Sequence, residues 1–320
     1  MNILLWGQYP RSERLVQATR DFDRKRITQE ELRNAQNEDS KTLMMLQEDF
    51  PYASTGLFGW QDLLRPFADI VPSLKVTGLK RFFETNTFWK VLEPVTHPPS
   101  STPLSLPASS TDEGKLDEWI KRYFFSDDTY PADAPLVFTL PFIYLFKEYT
   151  RNVDYKTVIE ILQTVLRALA DLPNKMLVFA EPSLGWRPLT NEEKKLGLEF
   201  LEKIKSFFDN PVIINTYFFD IEKEKDFLYS LPVDGIGIDF YANSIENVLR
   251  DFPQNKMLLA GALASDSTRI EEKEKLAGFF NSLEKFVERS LIWGASAGPA
   301  ELLPRVVADN KIRNLKEVLK

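Results

Sequence analysis

Cysteine is absent from the 320-residue sequence, and histidine occurs once, as His97. Disulfide frameworks, cysteine nucleophiles and thiolate zinc sites are thereby excluded, as is any mechanism needing two imidazoles. No stretch approaches the roughly 20 apolar residues that span a bilayer. The first residues, Met1 to Gly7, lack the charged-then-apolar layout of a signal peptide. A basic excess is missing too: the formal net charge is -7 and the cations are interleaved with acidic residues, so nucleic acid is not an expected partner. Together these absences lead us to expect a cytoplasmic protein that contacts neither membrane nor nucleic acid.

What is present is apolar. Hydrophobic residues make up 43% of the chain, enough for a large core without disulfides or metal. Short runs rich in Val, Ile, Leu and Phe recur, each followed by a longer amphipathic stretch, which is the alternation of a parallel sheet covered by helices. Candidate strands are Asn2–Trp6, Tyr52–Leu57, Thr87–Leu92, Leu136–Leu140, Met176–Ala180, Val212–Thr216, Gly235–Phe240, Met257–Ala260 and Leu291–Trp293. The pattern predicts an α/β fold, a TIM-type (β/α)8 barrel. Nine runs for eight places put one run outside the barrel or make it no strand at all.

Residues 1–320 read as one barrel with a Pro/Ser/Thr-rich insertion at about residues 95–111, where prolines at 98, 99, 103 and 107 break any regular element. A linker between two domains is the alternative, but the residues before it hold too few βα units to close a barrel. His97 lies among these prolines and reads as a loop residue. Thr28 with Glu31, and Thr190 with Glu193, fit capping boxes that start helices. After Thr190, Leu196, Phe200, Ile204 and Phe208 make one apolar helical face.

Gly294-Ala295-Ser296-Ala297-Gly298 has the spacing of a nucleophile elbow, but no histidine follows it. Small residues clearing space beside a strand end account for it better. Gly235-Ile236-Gly237 is half a dinucleotide fingerprint whose third glycine is missing. In a barrel, polar residues where strands give way to loops face the mouth. Arg11, Glu181, Asp239 and Asp266 hold such positions, and Tyr217 adds an aromatic wall. Each of them is as well suited to bonding loop amides as to chemistry.

Nine short segments, in order, resemble the cobalamin-independent methionine synthase family, both its single-barrel archaeal-type members and the N-terminal half of its two-barrel enzymes. Gly7-Gln8-Tyr9-Pro10-Arg11 is like the family's G-x-[FY]-P-R, and Thr28-Gln29-Glu30-Glu31-Leu32 and Leu46-Gln47-Glu48 follow. Thr55-Gly56-Leu57-Phe58-Gly59-Trp60-Gln61-Asp62 and Gly78-Leu79-Lys80-Arg81-Phe82-Phe83-Glu84-Thr85-Asn86 are the most specific matches. Glu181-Pro182-Ser183-Leu184, Thr216-Tyr217-Phe218, Leu231 to Asp239 and Gly298 to Arg305 complete the series.

The resemblance implies a barrel of the homocysteine S-methyltransferase type, in which zinc holds the substrate as thiolate. The family's zinc ligands are His, two Cys and Glu, which this chain cannot supply. Other departures are Ala180 for the Asp of D-E-P, Glu84 for the Asp of F-F-D, and Asp266-Ser267-Thr268 where relatives carry D-x-R-N. The first helix of N-terminal halves supplies cations for the glutamate tail of the folate; Arg14 is kept here, but Glu13 and Val16 stand where positive charge is expected. The expectation is an accessory subunit with no cofactor of its own, not catalytic alone, working with a separate zinc-bearing catalytic barrel. Arg11, Arg14, Glu181, Tyr217, Asp239 and Asp266 are the candidate substrate- or donor-binding residues. Two other readings are a stand-alone hydrolase using Glu181 and Asp239, and a module that binds a methylfolate or methylcorrinoid donor.

Overall fold

The computed structural model describes residues 1–95, 110–125 and 134–320. His97 and the body of the Pro/Ser/Thr-rich insertion lie outside the described residues. The described residues form ten strands: β1 (Asn2–Ile3), β2 (Ala53–Ser54), β3 (Leu74–Arg81), β4 (Phe88–Pro94), β5 (Leu136–Pro141), β6 (Lys175–Ala180), β7 (Val212–Asn215), β8 (Gly235–Asp239), β9 (Met257–Leu263) and β10 (Ile292–Ser296). Eight of them make one sheet in the order β1-β10-β9-β8-β7-β6-β5-β2, with every ladder parallel.

Every residue of β5, β6, β7, β8 and β10 is buried, as expected of parallel strands covered on both faces. Helices such as Tyr155–Ala170, Asn191–Lys205, Lys273–Leu283 and Arg305–Leu319 alternate with these strands. Both expected capping boxes are made, by Thr28 with Glu31 and by Thr190 with Glu193. Phe200 and Ile204 are buried on the helix that Thr190 starts, and Phe208 is buried just beyond its end. No described helix is long and apolar enough to cross a membrane.

The sheet curls until residues from opposite strands meet. The amide of Gly7, beyond β1, donates to Thr139 Oγ1 of β5 at 2.8 Å, and the Trp6 and Tyr217 rings lie 5.1 Å apart. The end strands β1 and β2 share no ladder, but the Tyr9 amide donates to the Gly56 carbonyl at 3.0 Å across the gap between them. Gly56 has φ +73°, and a Cβ there would come within 2.7 Å of the Leu43 and Phe58 side chains, so only glycine fits.

The surplus among the nine expected strands is explained by β4. Thr87–Leu92 is a strand, but it pairs antiparallel with β3 in a separate two-stranded sheet. Its partner, Leu74–Arg81, escaped the sequence reading because a largely solvated hairpin strand carries Lys, Thr and Gly between few apolar residues. The hairpin is anchored to the main body by the Leu92 amide on the Tyr149 carbonyl, 3.0 Å, and by the Arg151 amide on the Leu92 carbonyl, 2.8 Å.

Candidate functional site at the carboxyl ends of the strands

Glu181 follows β6 and is fully buried. One carboxylate oxygen accepts the Leu145 amide at 2.8 Å and the other the Ser183 amide at 2.7 Å. Burial pushes its carboxyl up to about 7, against the pull of these two amides. Asp239, last in β8, accepts from the Phe218 amide at 3.0 Å and the Tyr241 amide at 2.8 Å, and burial raises its pKa as well. Both carboxylates are therefore held by backbone amides, those of Glu181 in the short helices Ile143–Glu148 and Ser183–Trp186, and the hydrolase reading built on them is not favoured. Asp266 lies beyond β9 and is exposed.

Tyr217 is wholly buried against Trp6 and Phe218, and burial, with Glu181 and Glu301 nearby, raises its pKa. Among the described residues its hydroxyl has no hydrogen-bond partner, and neither do Gln8 Oε1 beyond β1, Thr55 Oγ1 beyond β2 and Asn215 Nδ2 at the end of β7. Buried polar atoms are almost always satisfied by protein, water or ligand. These four unsatisfied atoms lie at the same end of one sheet, where water or a polar ligand would satisfy them.

Glu301 is a member of the site that sequence reasoning did not single out. It is partly buried beyond β10, and its carboxyl is pushed up to about 8 by burial and by Asp62, with Arg11 opposing. Its amide donates to the Gln8 carbonyl at 3.2 Å. The first and last family-like segments thus pack together: Arg305 lies over the Tyr9 ring, 5.0 Å from its centre, and its Nη1 donates to the Pro10 carbonyl at 3.2 Å. Order along the sequence could have suggested this, because the last strand of a barrel returns beside the first.

Arg11 lines a groove of about 400 Å³ with Arg65, Lys90, Arg122, Asp23 and Asp69. Burial lowers the pKa of Arg11, and Glu301, Asp39 and Asp23 oppose that shift. Arg14 does not line this groove: its side chain is two-thirds exposed and pairs with Glu38. The sequence joined these two arginines, and the structure separates them: Arg11 precedes the N-cap Ser12, whereas Arg14 lies in the first turn of the helix Glu13–Asp23 with its side chain outward.

The most specific family-like segments build a cover for the site. Asp62 accepts the amides of Leu64, Arg65 and Lys90, so it fixes its own turn and the start of β4. At the hairpin tip the Tyr149 hydroxyl donates to the Arg81 carbonyl at 2.9 Å and accepts from the Phe83 amide at 3.0 Å. Phe83 and Phe218 both have left-handed backbones, with φ 46° and 72°, and both amides are held by a side-chain acceptor, Tyr149 and Asp239 respectively. The rings meet across the strand ends, Phe82 on Phe218 at 5.8 Å and Phe83 on Phe219 at 5.7 Å.

Gly298 lies under this cover. A Cβ there would strike Ser265 Oγ and approach Phe218 Cε1 to 2.9 Å, so the nucleophile-elbow pattern is a clearance for packing. Ser296 offers its carbonyl to Trp6 Nε1 at 3.2 Å.

A curled parallel sheet covered by helices, with its polar groups gathered where the strands end, defines an α/β protein of barrel type. The family model for the N-terminal domain of cobalamin-independent synthase matches residues 123–284, half of the chain. The chain belongs to that family. It is 39% identical over 102 residues to the 5-methyltetrahydropteroyltriglutamate–homocysteine methyltransferase of Streptococcus gordonii, covering 31% of this chain and 14% of that protein. With the Lactococcus lactis enzyme of the same name it shares 28% identity over 175 residues, 53% of this chain and 22% of that one. The matches thus span less than a quarter of these relatives' length. Among solved structures, a B12-independent methionine synthase from Shewanella superposes with TM-score 0.69 at 15% identity, covering 92% of this chain and 89% of that one. A methyltransferase from Methanosarcina mazei gives 0.64 at 10% identity, covering 100% and 94%.

The residues present do not fit the family's thiolate zinc site. Among the described residues no group of three or more His, Asp or Glu side chains is placed to hold a metal ion. The strand-end carboxylates Glu181 and Asp239 already have backbone amides on their oxygens.

Proposed function

We propose that this chain is an accessory subunit of methionine biosynthesis: a barrel without zinc that works in the cytoplasm beside a separately encoded, zinc-bearing barrel. The observation that carries the reading is membership of the N-terminal-domain family in a chain without a thiol. Zinc-bound homocysteine belongs to the partner barrel in this scheme, because sulfur and imidazole donors are what such a site requires. The eight parallel strands and the Tyr9–Gly56 bond between the end strands support closure into a (β/α)8 barrel.

The groove beside Arg11 supports donor binding. Five cations, Arg11, Arg33, Arg65, Lys90 and Arg122, against two carboxylates favour a polyanionic group such as the glutamate tail of a methylfolate. A methylcorrinoid is the other donor class. The hairpin cover would face the partner, keeping water from the donor.

Affinity purification from the native cell tests the reading. A cysteine-containing barrel of the same family is expected to accompany the tagged chain, and the mixture to methylate homocysteine where neither component does so alone. Methyl transfer by the isolated chain, with stoichiometric zinc, would overturn it.

A further inference from the structure

The two faces of the β3–β4 hairpin are treated differently. In an antiparallel pair, residues directly opposite each other share a face, and successive residues alternate between faces. Lys80 and Trp89 are opposite each other. Trp89 is buried and stacks on the Phe82 ring at 3.7 Å, while Lys80 lies over the Tyr149 ring and pairs with Glu148. That face is engaged by the chain itself.

The other face carries Leu79 opposite Lys90 and Arg81 opposite Phe88. Leu79 is 58% exposed and Phe88 57%, and as diagonal neighbours they form one apolar spot whose burial the isolated chain does not gain. Both cations beside the spot lack a carboxylate: among the described residues neither Arg81 nor Lys90 makes an ion pair. Arg81 is held instead by carbonyls of the hairpin tip, Nε donating to Thr85 at 2.6 Å and Nη2 to Glu84 at 3.1 Å, which leaves Nη1 unused. Next to Leu79 the approach is open, since nothing lies within 4 Å of where a Cβ on Gly78 would be. Lys90 and Val76 also line the groove beside Arg11, so face and groove are continuous.

We propose that this face is the anchor on which the zinc-bearing partner barrel docks, through an apolar side chain flanked by carboxylates. The apolar group would cover Leu79 and Phe88, and the carboxylates would meet Arg81 and, at the groove's edge, Lys90, a complement selected by the uncompensated positive charge. This docking mode, which rests on the accessory-subunit reading, seats the partner at the border of the groove where the donor would lie. Transfer of a methyl group between two chains requires such a neighbourhood.

The test is calorimetric titration of the full chain with the cysteine-containing barrel of the same family from the same cell, each purified separately. One-to-one binding is expected. Leu79→Glu and Phe88→Glu should each weaken it about tenfold or more, and Arg81→Ala several-fold, with a shallower dependence on salt. Met45→Glu, at an equally exposed apolar position on the helix Gln29–Leu46, should leave the affinity unchanged. All four positions are exposed, so thermal midpoints should match that of the unaltered chain. Should a charged variant unfold, Leu79→Thr and Phe88→Thr suit a strand and should still weaken binding several-fold. Binding by the unaltered chain that the hairpin variants match would overturn the docking mode and leave the accessory reading standing. No binding by the unaltered chain would overturn both.

Discussion

Two glutamates beside the same strand end are treated in opposite ways. Glu181 meets two amides in a dry interior, and its carboxyl rises to about 7. Glu193, at the start of the next helix, meets Arg187 through two hydrogen bonds of 2.6 and 3.0 Å, the Tyr155 hydroxyl at 2.7 Å and the Thr190 amide at 2.9 Å, and its carboxyl falls to about 2. The difference teaches that neutral donors alone do not offset burial of a charge, whereas a guanidinium held at a helix start does.

The largest expected effect comes from Glu181→Ala, which leaves two buried amides without acceptors. It should cost about 3 kcal/mol or more in denaturant unfolding, and Glu181→Gln, keeping one acceptor and the shape, should cost less. The pH dependence has a definite sign. Glu181 binds its proton more tightly in the folded chain, with a pKa of about 7 against the ordinary 4.5. Its contribution is therefore complete below pH 4.5 and is lost as pH rises through about 7, a span of about 3 kcal/mol. Unfolding of Glu181→Gln as a function of pH should lack that decline, and since Glu301 acts in the same sense, pairing it with Glu301→Gln should flatten the curve further.

Glu193 has the opposite sign: its stabilisation is present above pH 4.5 and is lost as pH falls toward about 2. Arg187→Ala should remove about 1–2 kcal/mol at neutral pH and shrink the acid-side loss; an unchanged acid limb would deny Arg187 its role. Thr190→Ala removes one half of the capping box and should cost about 1 kcal/mol, read as a lowered midpoint. The smallest effect is expected at the exposed Arg14–Glu38 pair, where Arg14→Ala should change stability by less than about 0.5 kcal/mol.

The regular half of the fold was legible because β5 to β10 are nearly continuous apolar runs, each followed by an amphipathic helix. The first 95 residues were less so: β1 and β2 are much shorter than their apolar runs suggested, and β3 looks like loop. Glu181, Tyr217 and Asp239 were found from their place after strands, and all three lie at strand ends. Glu301 was missed because it sits in a short helical turn and owes its character to Asp62 and Arg11, which are remote in sequence. The unsatisfied atoms of Gln8, Thr55 and Asn215 carry no sequence signal at all, since an unmet hydrogen bond is a property of assembled neighbours.

The brevity of β1 and β2 has a mechanical consequence. From β5 to β10 neighbouring staves are laced over three to six residues, β1 and β2 join β10 and β5 over two residues each, and β1 and β2 share no ladder, with the Tyr9–Gly56 bond spanning the gap between them. A hoop gives way where its lacing is thinnest. We expect solvent to enter first beside Gln8 and Thr55, whose idle polar atoms would gain partners there, and hydrogen exchange of the Tyr9 amide ahead of the amides of β6 and β7 would show it.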